Sequence, residues 1–136
     1  MSTRLTKNRQ KILVVLQQLE EEISAQQLYL QLRQQGSKIG LATVYRILKS
    51  LSWEGMVQER TILTGESLYS LVANSHHHEH HLNCLYCGKS ITLKDKNCPI
   101  SKQLNHWWQS QKFKVYYHTL EFFGLCDTCQ HKLEDL

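Results

Sequence analysis

In the first half of the chain, apolar residues recur at helical spacing in three short runs. Ile12, Leu13, Leu16 and Leu19 share one side of a helix that Thr6 can cap. Ser24-Ala-Gln-Gln27 has the form of a capping box, with Leu28 and Leu32 on the inner face of the next helix and Gly36 as its stop. A third helix is expected to begin near Leu41, to place Val44, Tyr45, Leu48 and Leu51 inward or near it, and to end by Gly55. The period then changes. Residues 56–62 and 67–71 are strand-like runs joined by Thr64-Gly65-Glu66, a plausible hairpin turn. Three helices and a hairpin is the order of a winged helix-turn-helix, whose third helix enters the DNA major groove and whose hairpin is the wing.

The second half carries a different pattern. Residues 76–93 and 113–123 alternate or are rich in β-branched and aromatic side chains, among them Ile91, Thr92, Phe113, Val115, Tyr116, Tyr117, Thr119, Phe122 and Phe123. Between them, residues 99–111 have helical composition, with Ile100, Leu104 and Trp107 at spacings of four and three. The expected fold class is therefore α+β. A winged helix-turn-helix domain over 1–73 is followed by a small α/β domain over 74–136.

Composition sharpens that division. The chain has 136 residues, so each half is small, and a staple such as a metal or a partner chain is expected. A hydrophobic share of 41% with a charged share of 21% and one proline argues against disorder. No apolar stretch approaches the roughly 18–20 residues that span a bilayer, so no membrane partner is expected. The N-terminus lacks the apolar region of a secretory signal, and a cytoplasmic location is the expectation. Net charge is +4, and its placement matters more than its size. Arg4, Lys7, Arg9 and Lys11 all precede the first acid, Glu20, which suits contact with phosphates.

All five cysteines and all eight histidines lie in the second half, the first of them His76. An odd number of cysteines without an export signal favours metal ligation over a disulfide framework. Cys84-Leu-Tyr-Cys87-Gly and Cys126-Asp-Thr-Cys129 are two CxxC pairs, together sufficient for a closed tetrahedral four-cysteine zinc site. Gly88 suits the tight knuckle that aims backbone amides at thiolate sulfur. A redox pair would want one CxxC at a helix start in a βαβ context, which the sequence does not announce.

Just before the first pair stands His76-His-His-Glu-His-His81. In an extended strand, His76, His78 and His80 share one side, and His77, Glu79 and His81 the other. One strand can thus feed two metal sites, with unpaired Cys98 and His118 as candidates to complete them. The plainer alternatives are a mobile histidine loop with loose metal affinity, a structural His118 and a Cys98 acting as a small buried apolar group. Two catalytic readings fail. His78-Glu79 is followed by Leu82 where a zincin needs its second histidine, and the deaminase Pro-Cys-x-x-Cys is absent. No enzyme and no small-molecule substrate are expected. In the first half, residues 40–46 would dock on DNA. Small residues at the start allow close approach, and Thr43, Tyr45 and Arg46 offer methyl, aromatic and guanidinium contacts, unless Tyr45 packs into the core.

Taken in order, Ser24-Ala25…Leu28-Tyr29, Gly40-Leu-Ala-Thr-Val-Tyr-Arg46, the histidine run leading into Cys84-x-x-Cys87-Gly88, and His118-Thr-Leu-Glu-Phe-Phe-Gly-Leu-Cys126 resemble the ferric uptake regulator (Fur) superfamily. The resemblance covers nearly the whole chain. It implies a homodimeric repressor that binds palindromic double-stranded operator DNA, dimerises through its C-terminal half and is gated by metal. It also implies Arg9, Thr43, Tyr45 and Arg46 as DNA contacts, and Cys84, Cys87, Cys126 and Cys129 as ligands of a structural zinc.

Within the superfamily the chain is most similar to zinc uptake regulators (Zur) of the cyanobacterial type, which share the His118–Cys126 pattern and Cys98-Pro99. Two departures favour zinc over iron. Glu22 stands where iron- and peroxide-sensing members often carry histidine, and Thr92 replaces a carboxylate common in them. The expected cofactor is Zn2+, with one structural four-cysteine site and one or two exchangeable sensor sites. The sensor ligands are drawn from His78, His80, His81, His118 and Cys98, with Glu79 a further candidate. The alternatives are an iron-, manganese- or peroxide-responsive regulator and, in a different class, a zinc storage or chaperone protein.

Overall fold

The computed structural model describes residues 3–73, 78–93 and 101–135. The chain divides into two compact units, Met1–Ser75 and His76–Leu136, two residues beyond the division expected from composition.

The first unit holds α1 (Thr3–Gln18), β1 (Ile23–Ser24), α2 (Ala25–Gln34), α3 (Leu41–Trp53), β2 (Val57–Thr61) and β3 (Ser67–Leu71). Helix α1 begins three residues before the cap expected at Thr6, since nothing between Thr3 and Thr6 breaks a helix. Ser24 caps α2 as the sequence predicts: its Oγ accepts from the Gln27 N–H at 3.1 Å, and Gln27 Oε1 accepts from the Ser24 N–H at 3.2 Å. At the other end, Gly36 takes φ +85°. Its N–H reaches Arg33 O at 3.0 Å and the Ser37 N–H reaches Leu32 O at 3.0 Å, the two bonds of a Schellman stop. A side chain at Gly36 would strain that left-handed backbone.

Ile12, Leu16, Leu28, Leu32, Val44, Ile47, Leu48, Leu51 and Val57 form one buried core between the helices and the sheet. Each such side chain stabilises by about 1.5–3 kcal/mol on burial. Tyr45 is not part of it. Ile47 takes the inward place and leaves Tyr45 45% exposed, because helical geometry aligns residue 47 with 44 and 51 rather than residue 45. The sheet order is β1-β3-β2, all antiparallel, with Ile23 opposite Tyr69 and Val57 opposite Leu71. Strand β1 is two residues long and was not expected from the sequence. It anchors the start of α2 to the wing hairpin.

The second unit holds β4 (His78–Cys84), β5 (Ser90–Leu93), α4 (Ser101–Ser110), β6 (His118–Gly124) and α5 (Asp127–Glu134). Central β4 pairs antiparallel with β5 and parallel with β6. Two expectations change. Residues 113–117 are not strand despite their aromatics, and α5 is an additional helix starting inside the second CxxC. Among the described residues of this unit, the buried positions are Cys84, Cys129, His80, His81 and Asn83, so no aliphatic core exists to compare with the first unit's. No helix among the described residues is long and apolar enough to cross a membrane.

Replacing Ser24 by Ala removes one cap bond of α2 and is expected to lower stability by about 1 kcal/mol. Urea unfolding should then show a lower midpoint at unchanged slope. An unchanged midpoint would show that the cap contributes nothing.

Candidate functional site

The parallel pairing of β4 and β6 aligns Cys84 with Gly124, so both strands end at the same edge of the sheet and each runs straight into a CxxC pair. The first pair is folded by Gly88, which takes φ +76° and donates its N–H to Cys84 O at 2.9 Å. The Leu85 N–H reaches Gly124 O at 2.8 Å and ties this knuckle to the end of β6. The second pair opens α5, with Cys126 as N-cap and Cys129 in the first turn. The result is four sulfurs within 4.8 Å of one another. A tetrahedral ion with Zn–S bonds of about 2.3 Å has S···S edges of about 3.8 Å. Cys87 and Cys126 lie 3.9 Å apart, far too distant for a disulfide.

Backbone dipoles favour charge at this cluster and mutual proximity opposes it. The backbone amides of Cys87 and Cys126 point at Cys84, the latter at 3.3 Å, and bring its pKa down to about 6. Burial, reinforced by the neighbouring thiols of Cys126, Cys84 and Cys87, pushes Cys129 up to about 12. Four thiolates need a cation among them, and the spacing and sulfur chemistry fit zinc. Contrary to the sequence expectation, the second CxxC does stand at a helix start, as a redox pair would. The convergence of the first pair on it is what favours metal.

Histidines occupy the opposite end of the same two strands. His78 stands in register with His118, and six residues of parallel strand separate it from Cys84, roughly 20 Å. His80 is buried, and its Nε2 has no hydrogen-bond partner among the described residues. Its ring stacks on His118 at 6.5 Å between centroids and 26° between planes. Burial, and then the adjacent His80, lowers the pKa of His118, which keeps that imidazole in the neutral form that binds metals. His81 is fully buried, and its Nδ1 lies 3.3 Å from Glu121 Oε2. Glu121 went unnoticed in the sequence. Counting three residues back from Cys84 and three from Gly124 pairs it with His81, but only once the strand register is known. Cys98 lies outside the described residues.

In the first unit, an open groove of about 960 Å³ runs past the starts of α1 and α3. Lys7, Arg9, Lys11, Lys38 and Arg46 line it with Gly40 and Thr43, and among the described residues no acid does. Such a one-signed cleft attracts phosphates. Lys7, Lys11 and Lys38 were not singled out by motif, although the early charge excess pointed to the first two. Arg46 Nη2 donates to Thr43 Oγ1 at 3.2 Å, which aims both at one side of α3. Arg9 is held by a bidentate pairing with Glu54, the C-cap of α3. That hydrogen-bonded pairing lowers the carboxyl pKa of Glu54 and raises that of Arg9, so it persists at neutral pH and is lost as pH falls through the Glu54 pKa. Glu22 is likewise engaged, by two bonds from Arg60 at 2.9 and 2.7 Å.

The ferric uptake regulator family matches residues 1–123, short of the second CxxC pair. The chain is 38% identical over 127 residues to the zinc uptake regulation protein of Mycobacterium tuberculosis, covering 93% of this chain and 95% of that protein. It is also 38% identical over 124 residues to the ferric uptake regulation protein of Vibrio anguillarum, covering 90% and 80%. The solved structure of FurB from M. tuberculosis, a zinc uptake regulator, aligns with a TM-score of 0.55 at 38% identity, over 94% of this chain and 96% of that one. For the Vibrio cholerae ferric uptake regulator the TM-score is 0.58 at 38% identity, over 87% and 88%. Matched from its reading head through the strand that leads into its last two cysteines, the chain belongs to the ferric uptake regulator family of metal-responsive transcriptional regulators, which are not enzymes.

Proposed function

We propose that the chain is a cytoplasmic zinc-responsive repressor that binds palindromic operator DNA as a homodimer and controls zinc uptake and homeostasis genes. Cys84, Cys87, Cys126 and Cys129 hold a structural zinc. Exchangeable zinc is held by ligands from His78, His80, His81, His118 and Cys98. The observation that carries zinc as effector is the donor set on the β4–β6 pair. On the face of β4 that bears His80, the register partners of His80 are Leu93 and Leu120 and those of Leu82 are Ile91 and Phe122, whereas on the other face His81 meets the carboxylate of Glu121. Imidazole in apolar surroundings suits zinc better than a hard oxygen-seeking ion. Glu22, the carboxylate standing where relatives often place a histidine, is bound by Arg60.

Dimerisation is supported by the same sheet. Leu82, Ile91, Leu93 and Phe122 are each more than a third exposed and share one face through their register, an apolar patch suited to a second copy. Zinc bound at the histidines would raise the fraction of dimers whose two α3 helices match successive half-sites of the palindrome. Arg46, Thr43 and Tyr45 read DNA from α3, with Arg9 beside them in its Glu54 pairing. Loading with zinc supplies the four-cysteine cluster with the positive charge its thiolates require.

The test uses DNA selected from a random pool by the zinc-replete protein, titrated at buffered free metal. Chelating the exchangeable ion is expected to weaken binding about 5–150-fold, the usual scale of such coupling. An affinity independent of zinc would overturn the sensor. The V. anguillarum relative makes iron the competing effector, and restoration of binding by ferrous or manganous ion at lower free concentration than zinc would decide for it. Arg46→Ala should weaken specific binding about tenfold or more while metal content stays the same; equal losses on unrelated DNA would reduce Arg46 to a phosphate contact. Cys84→Ser should release the structural zinc and broaden the amide spectrum of the second unit. A variant that keeps one tightly held zinc and a native spectrum would remove Cys84 from the cluster.

A further inference from the structure

The carboxylate that the parallel register brings against His81 has no place in the ligand set above. His81 is fully buried on β4, and its register partner on β6 is Glu121. Glu121 Oε2 lies 3.3 Å from His81 Nδ1, a close approach not aligned as a hydrogen bond, and the Asn83 amide donates to the same oxygen at 3.0 Å. Asn83 is itself buried and also reaches the Phe122 carbonyl at 3.4 Å, so its orientation is fixed from β6. Asn83 and His81 share one face of β4, two residues apart, which is why both meet one carboxylate. We infer that Glu121 is a positioning residue: oriented by Asn83, it holds Nδ1 of His81 and turns Nε2 toward the metal.

The chemistry follows from what each group can donate. A carboxylate only accepts hydrogen bonds, so for the 3.3 Å approach to close into one, the imidazole nitrogen facing Glu121 must carry the proton. A neutral imidazole has one N–H and one lone pair, and placing the proton on Nδ1 leaves the lone pair on Nε2. A carboxylate behind a ligating imidazole fixes ring orientation and raises its basicity. The Asn83 amide occupies Oε2 from a second direction, which keeps that oxygen beside the ring rather than free to swing toward an ion. The inference rests on His81 being a ligand, as proposed above, and extends that reading to a residue outside the ligand set.

The experiment uses the full-length dimer with its tightly held zinc retained. Affinity for exchangeable zinc is measured by competition with a chromophoric chelator for the wild type and for His81→Ala, Glu121→Ala, Glu121→Gln and Asn83→Ala. Cobalt(II) spectra report ligand number, and 15N imidazole shifts report the protonated nitrogen. Glu121→Ala is expected to weaken zinc binding about 10–100-fold with the cobalt spectrum preserved, and Glu121→Gln, which keeps an acceptor, by less. The 15N spectrum of the wild type should show Nδ1–H and a metal-bound Nε2 at His81, mixed or lost in Glu121→Ala. Should Glu121→Ala not fold, Asn83→Ala and Glu121→Gln carry the same tautomer readout. Wild-type affinity and tautomer in all three variants, with His81→Ala losing the ion, would overturn Glu121 while sparing the ligand reading. Wild-type affinity in His81→Ala would instead overturn the ligand reading, and the positioning role with it. A cobalt spectrum in Glu121→Ala that reports one ligand fewer would make Glu121 a ligand and overturn its role behind the ring.

Discussion

Everything chemical in the second unit depends on the parallel register of β4 and β6. A parallel pair carries corresponding residues at corresponding heights, so two chain segments with the order histidine, strand, CxxC deliver both sets of donors together. An antiparallel pairing of the same strands would place the thiols of one against the histidines of the other. A slip of one residue would turn His80 and His81 to the wrong faces and separate the two pairs of sulfurs. The register is therefore as consequential as the identity of any ligand.

The two units are stabilised differently. The first resembles an ordinary small domain, with helices packed through aliphatic side chains against a three-stranded sheet. Among the described residues, the second buries polar and thiol groups instead, which is costly unless those groups are satisfied by hydrogen bonds or ions. Asn83 and Glu121 satisfy one another, the knuckle amides satisfy Cys84, and the exposed apolar face is left for another surface to cover. Stability and recognition are thus separated. The first unit presents the cationic groove, and the second carries the cysteine and histidine clusters.

The first unit was legible in the sequence because its signals are local. Capping box, helical period and Gly36 each act within a few residues, and the structure places them as read. The exceptions have local causes as well. Tyr45 is one position off the face that Val44, Ile47 and Leu51 share, and β1 is too short to leave a pattern. In the second unit the four cysteines were legible from spacing alone, since only a handful of chemistries use two CxxC pairs. Helix α5 was not, because in Asp-Thr-Cys-Gln-His-Lys-Leu-Glu only Leu133 and Cys129 could mark an inner face. The Glu121–His81 contact spans 40 positions and exists only through strand pairing, which no window along the chain reveals. The assignment of the cationic groove needed both sources: the charge excess gave Lys7 and Lys11, and folding added Lys38 from the turn before α3.

The convergence of the two CxxC pairs also has a topological meaning. Between Cys84 and Cys126 lie β5, α4 and β6, and an ion gripping both pairs closes all of them into one loop. Cross-linking the chain across those 42 positions restricts the unfolded ensemble and, on the scale established for disulfides, is worth about 4 kcal/mol. That restraint acts on the disordered chain rather than through contacts of the folded one. A unit whose described residues bury no aliphatic side chain can in this way owe its fold to what its unfolded state is forbidden to explore.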